Sequence, residues 1–248
     1  MTRHDTQFAD PTLQHQLDLF LADPKARITQ IKHRDERYWA KKCETLSLRW
    51  RIQKGDPKLA FEADRTGHHA LSDAGVPVPE IVAEGENYIV TKDSGETLSH
   101  LLVQQTQDPS ARIAAFTEAG RQLARMHAKG LTHGRPAIKD MCWDGTNLVF
   151  LDFERYSPTR NTPKGHMQDL IIMIHSCYAF LPEDSPEADA AAAAYRRFDE
   201  TGTWDRASAW CRKMRWIDVV TKPLQWGNRA GAMEFKAIPF TLKSFGVS

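Results

Sequence analysis

Two aspartates, Asp140 and Asp152, stand on either side of a short hairpin in which an Asp144-Gly145 turn joins the apolar runs 141–143 and 148–153. Asp-Gly between alternating apolar segments is a strong hairpin signal, so the spacing predicts two carboxylates across one hairpin. A carboxylate just past a buried strand suits magnesium, which takes one or two protein oxygens and completes its shell with water and phosphate. The plain structural alternative has Asp140 capping a turn and Asp152 ending a strand. A second feature is Lys41-Lys42 in the run Tyr38-Trp39-Ala40-Lys41-Lys42. Successive side chains of a strand point to opposite faces, so only one of these lysines can face a cleft; as a bare pair they also read as surface charge. His68-His69 and His175 lack zinc-ligand spacing. Cys43, Cys142, Cys177 and Cys211 include no C-x-x-C pair, which favours a reducing compartment.

The elements that must position these residues follow from periodicity. Residues 11–21 place Leu13, Leu17, Phe20 and Leu21 at helical spacing, 28–32 and 37–43 read as strands around a polar turn, and 58–74 as a helix stopped at Gly75. Residues 81–83 and 87–91 form another strand pair, with Gly95 in a linker. Residues 110–129 form a long helix, followed by a loop, the hairpin, and helices at 168–180, 186–200 and across the Trp-rich 204–226. The order predicts an α+β, two-lobed plan: 1–94 rich in strands with one central helix, 95–248 mostly helical. With 248 residues, 41% hydrophobic and 26% charged, the chain can bury a full core without a staple. Its 33 Lys and Arg against 32 Asp and Glu, a formal charge of +1, exclude a strongly basic nucleic-acid binder. Residues 1–10 are polar and no apolar run approaches the roughly 20 residues of a membrane span, so a cytoplasmic protein is expected.

This order of elements, with those residues in those places, resembles the protein-kinase-like superfamily over about residues 28–180. It looks closest to the Kdo/WaaP-type lipopolysaccharide kinases and also resembles the KEOPS-complex kinase. The resemblance implies ATP and magnesium as cofactors. It makes Lys41, with Lys42 as the fallback, the lysine that meets ATP phosphates, and Asp64 its acidic partner where relatives carry Glu, through a contact longer or water-bridged; Glu62 is a weaker candidate. In His133-Gly134-Arg135-Pro136-Ala137-Ile138-Lys139-Asp140, relatives read H-G-D-x-x-x-x-N. Here Arg135 replaces the catalytic Asp, and Asp140 replaces the metal-binding Asn. Leu151-Asp152-Phe153-Glu154 matches the metal-binding Asp-Phe-Gly with Glu154 for Gly. His133 is implied to be structural, and Asp169 to hold the catalytic loop from below, although an N-cap is equally natural there. The first hairpin has no glycine at its turn, so residues 33–37, or the side chains of Arg34 and Arg37, must cover the phosphates.

Two functions follow from the resemblance. One is a phosphotransferase of lipopolysaccharide-kinase type acting on a hydroxyl of a small-molecule or glycan acceptor, with Asp140 able to serve as base and Arg135 to stabilise the transferred phosphoryl group. The other is a pseudokinase that binds nucleotide or a protein partner without turnover. A third reading is an unrelated α+β binding protein. Arg155, Arg160 and Lys164 form a basic strip that suits an anionic glycan, or an ordinary solvated loop. Peripheral membrane contact is compatible with the sequence, but no amphipathic basic helix is evident in it.

Overall fold

The structure, a computed structural model, describes residues 8, 10–43, 56–104, 108–226 and 231–247. Most of the polar stretch 1–10 lies outside them. Five of the described helices begin alike. Pro11, Pro57, Pro109, Pro163 and Pro186 each open a helix behind a capping side chain, Asp10, Asp56, Asp108, Thr162 or Ser185, which accepts first-turn N–H groups. Proline has no N–H to satisfy there, and its fixed φ suits a helix.

The first lobe is a four-stranded antiparallel sheet made of β1 (Ile28–His33), β2 (Glu36–Lys42), β3 (Ile81–Gly85) and β4 (Tyr88–Lys92), in the order β1-β2-β4-β3. Helix α1 (Pro11–Ala22) covers one face: Leu13, Leu17 and Phe20 pack with Ile31, Tyr38, Ala40 and Val90 in a cluster of their own. Helix α2 (Pro57–Asp73) precedes β3.

The second lobe starts with β5 (Glu96–Thr97), which pairs with the hairpin β6 (Met141–Trp143) and β7 (Leu148–Phe150). Around this small sheet lie α3 (Leu98–Gln104), α4 (Pro109–Ala128), α5 (Pro163–Phe180), α6 (Pro186–Phe198), α7 (Thr203–Met214), α8 (Trp216–Gln225) and α9 (Ala232–Ser244). The alanine run of α6 lets it lie close to α4, with Ala188, Ala191 and Ala192 in the same cluster as Ala115 and Ala119. That larger cluster also takes in Leu71 and Val76 from the N-terminal half. The lobes join at 93–95, where Gly95 has φ 90° and an added Cβ would lie 2.2 Å from the Trp143 carbonyl oxygen. Only glycine combines that conformation with so close an approach.

The two-lobed α+β plan holds, with local corrections. The helix expected at 168 begins at Pro163, so Asp169 is interior and Thr162 is the cap. The second hairpin strand ends at Phe150, because Asp152 turns into the left-handed region at φ 62°. The stretch 204–226 is two helices divided at Arg215. Helices α3 and α9 were not expected, the latter because Pro239 interrupts its pattern.

Candidate functional site

Strand alternation separates the two lysines. Tyr38, Ala40 and Lys42 share the face of β2 that packs toward α1, whereas Trp39 and Lys41 face a cavity of about 570 Å³ between the lobes. Lys42 is withdrawn as a phosphate ligand. Its Nζ donates to the Phe20 and Leu21 carbonyls at 2.6 and 3.2 Å and sits over the Phe20 ring, neutralising the carbonyl end of α1.

Lys41 Nζ lies 2.8 Å from Asp64 Oδ2, a direct contact rather than the longer or water-bridged one expected. Gly67, one turn further along α2, accounts for the shorter acid reaching. A Cβ at Gly67 would lie 2.6 Å from Phe153 Cβ and 2.8 Å from Tyr156 Cβ, so the helix sits closer to the 152–156 segment than a side chain would allow. Asp64 Oδ1 also accepts the Phe153 N–H at 2.6 Å, so one carboxylate ties α2 to both the lysine and the segment after β7. Glu62 pairs instead with Arg65 at 2.7 Å.

The ammonium of Lys41 meets two more carboxylates, Glu154 at 2.9 Å and Asp152 at 3.7 Å. Burial works against its charge, but Asp64, Asp152 and Glu154 outweigh that and leave its pKa above the ordinary lysine value. Glu154 also pairs with Arg27, just ahead of β1, and so bridges the lobes. Neither Arg27 nor this use of Glu154 was anticipated from sequence.

Asp140 is buried at the cavity wall, and Leu151 N–H donates to its carbonyl at 2.8 Å, which joins the two carboxylate-bearing segments across the hairpin. Burial lifts the Asp140 carboxyl to about 6; the charge of Asp152 adds to the lift, while Lys139 and Arg135 oppose it. Asp152 lies in the cavity with a conformation that costs a non-glycine residue roughly 1–3 kcal/mol, a strain that clusters at functional sites. Arg135 lines the same cavity, is exposed, and makes no ion pair with the described residues.

Asp169 lies beneath. It accepts N–H bonds from His133 at 2.6 Å and Gly134 at 3.1 Å, fixing the loop that carries Arg135. His133 is fully buried against the Phe150 and Phe153 rings, and burial lowers its pKa and favours the neutral ring. Arg160 donates to the Gly134 and Arg155 carbonyls, so it braces this loop rather than extending a basic strip.

The residues expected to cover phosphates lie away from Lys41. The register pairs His33 with Glu36 and Ile28 with Lys41, so the 33–36 turn lies five residue steps, roughly 17 Å, from the lysine. Arg37 is spent on Asp93 at 2.7 Å. The residues beside Lys41 are Arg27 and Ile28, at the connection from α1 into β1.

Among the described residues no three His, Cys, Asp or Glu side chains gather as a complete protein metal site. Two carboxylates on one cavity nonetheless match magnesium, which draws its other ligands from phosphate and water. The apolar side chains of Ile28 and Ile89, the cross-strand neighbours of Lys41, and of Leu151 line the same cavity.

A divergent kinase of Toxoplasma that lacks the glycine-rich loop superposes with a TM-score of 0.50 over 93% of each chain, at 14% identity. The fold is protein-kinase-like. An aminoglycoside phosphotransferase solved with streptomycin and ATP aligns over 98% of this kinase-like chain and 100% of its own, with a TM-score of 0.45 and 9% identity. In sequence, an uncharacterised protein of Haemophilus influenzae is 28% identical over 204 residues, 78% of this chain and 84% of that protein. The KEOPS complex subunit Bud32 of Pyrococcus abyssi is 29% identical over 116 residues, 44% of this chain and 52% of its own. No protein-family model matches the sequence.

Proposed function

We propose that the chain is an ATP- and magnesium-dependent phosphotransferase, of lipopolysaccharide-kinase type, acting in the cytoplasm on a hydroxyl of a small-molecule or glycan acceptor. The observation that carries this reading is the convergence of Lys41, Asp64, Asp140 and Asp152 on one interlobe cavity. In this reading 1–94 and 95–248 clamp the nucleotide between them. Lys41, held by Asp64, would meet the phosphate oxygens, and Asp152 would be the main ligand of magnesium, leaving Asp140 for the base role. When bound, magnesium would neutralise charge on the phosphates. Asp140 takes the proton of the acceptor hydroxyl as the new oxygen–phosphorus bond forms and the bond from the γ-phosphorus to the bridging oxygen breaks, releasing ADP. Arg135 faces the transferred group as a cation, while His133 and Asp169 keep the loop in place. Phosphoryl transfer passes through a loose transition state in which positioning and charge dominate. Moving the base from position 135 is therefore a change of degree, since a general base contributes a factor of about 10²–10⁴.

Arg135 at the usual base position, together with Glu154 on Lys41, favours a second reading, a pseudokinase that binds nucleotide without turnover. The test is calorimetric titration of ATP with magnesium, with chelator, and with Asp152→Ala, followed by label transfer from γ-labelled ATP. Metal-dependent binding lost in Asp152→Ala, with label transfer lost in Asp140→Ala, is the expected result. Binding indifferent to metal and to Asp152 supports the pseudokinase, and no nucleotide binding at all overturns both.

A further inference from the structure

Helix α8 is amphipathic in the wrong sense for a protein surface. Trp216, Val219, Val220, Pro223 and Leu224 recur at i, i+3, i+4, i+7 and i+8, which places them on one stripe of the helix, with Trp226 beside it. This stripe faces outward: Trp216, Val219, Val220, Leu224 and Trp226 are 51–81% exposed, and no residue of α8 is buried. The polar residues turn inward instead. Asp218, Thr221 and Gln225 are half-buried where α8 packs along α9, and Gln225 Nε2 donates to Asp218 Oδ1 at 3.0 Å and to Thr221 Oγ1 at 3.2 Å. The inner side is thus satisfied while the apolar side has nothing of this chain over it among the described residues.

The charges beside the stripe say what fits. Arg212, Lys213 and Arg215, all exposed, stand in the last turn of α7 and at its junction with α8. Over 203–226 five cations face two carboxylates, in a chain whose formal charge is only +1. An apolar ridge with tryptophan at both ends and a cationic flank suits the headgroup region of an anionic bilayer, where indole rings settle at the interface and cations meet lipid phosphates. Within α8 itself a second copy would meet no free carboxylate among the described residues, because its one acid, Asp218, is half-buried and paired with Lys222.

We propose that α8 docks the protein on an anionic membrane surface, lying in the interface with the Trp216–Leu224 stripe downward and Arg212, Lys213 and Arg215 over the headgroups. This inference stands independently of the phosphotransfer reading.

The test is co-sedimentation of the full chain with phosphatidylcholine vesicles, with and without phosphatidylglycerol. Binding is expected only with the anionic lipid and is expected to fall as salt rises. Val219→Asp with Val220→Asp should weaken it at least about tenfold. Arg212→Gln with Lys213→Gln and Arg215→Gln should remove its dependence on anionic lipid. Both variants alter exposed side chains, and an unchanged thermal midpoint verifies that they fold. The proposal is overturned by wild-type protein that ignores vesicles, by variants that bind as wild type does, or by a concentration-dependent dimer that Val219→Asp with Val220→Asp dissolves; the dimer reassigns the face to a second copy.

Discussion

Asp140 sits where a carboxylate is useful and costly at once. With its carboxyl lifted to about 6, the native state holds that proton more tightly than the unfolded chain does, so this group's contribution to stability is greatest below about pH 4 and is lost as pH rises through about 6. Asp140→Asn cannot ionise. It should therefore stabilise the protein at pH 8 by on the order of 1–3 kcal/mol, several degrees in melting temperature, with the gain shrinking at pH 5. The same variant should lose metal-dependent turnover, and melts at the two pH values beside a turnover assay check both halves. Glu154 behaves differently, since its contacts with Lys41 and Arg27 compete with phosphate for the same cations. Glu154→Gln should tighten ATP binding about tenfold, roughly 1.4 kcal/mol, and leave adenosine unchanged in the same calorimeter. Looser ATP binding would mark Glu154 as a ligand and not a competitor. Hairpin spacing set Asp140 and Asp152 across one turn and strand alternation allowed only one of two lysines into the cleft, both local patterns, whereas the choice of Lys41 and of Asp64 came from the family resemblance. The bond from Arg27 to Glu154 joins residues 127 apart and left no local trace.

At the scale of elements, the distance of α2 from the 152–156 segment is set by the missing side chain at Gly67. Gly67→Ala should push the helix outward, with an overpacking cost of about 1–3 kcal/mol, and should lower nucleotide affinity by stretching the contact between Lys41 and Asp64. The added methylene of Asp64→Glu is surplus in the wild type but useful once the helix has moved. The double variant should thus bind nucleotide better than Gly67→Ala alone, a coupling that a double-mutant cycle reads directly. A glycine three residues after Asp64 in an otherwise ordinary helix was a visible sign of this close approach. Other signs were equally visible: Asp-Pro, Thr-Pro and Ser-Pro mark the start of five helices, and Thr162-Pro163 alone would have moved the start of α5 five residues earlier. Helix α8 shows the opposite case. Its periodicity can be read from the sequence, but which side faces the protein depends on α9, whose internal proline hid it.

For the molecule as a whole, the order of elements was enough to recognise a strand-rich lobe followed by a helical one, because helix and strand periods are written locally. The buried polar contacts that hold the helical lobe together were not, because their partners come from separate helices. His127 of α4 stacks on His166 of α5 with ring centroids 4.5 Å apart, and its Nδ1 meets the Tyr195 hydroxyl of α6 at 2.6 Å. Burial, with His127 adjacent, depresses the pKa of His166 to about 4. The unfolded chain takes up that proton near pH 6.5, so His166 contributes nothing adverse at neutral pH and destabilises the fold progressively between about 6.5 and 4. Asp140 acts in the opposite direction over part of that range, so the informative quantity is a difference. The stability of wild type relative to His166→Gln, from denaturant melts, should fall as pH drops across this window, and a constant difference would contradict a buried His166 that stays neutral. The β1–β2 turn has a practical use, because it lies at the far end of its strands from Lys41. Arg34-Asp35 lies about 17 Å from Lys41, at an exposed tip of the kind that tolerates additions. Cys142, Cys177 and Cys211 are buried with thiols pushed up to about 12, too high to react readily. With Cys43 changed to serine, a cysteine placed at Asp35 would take a single dye, giving a fluorescent handle on the small lobe that reports its movement without touching the cleft.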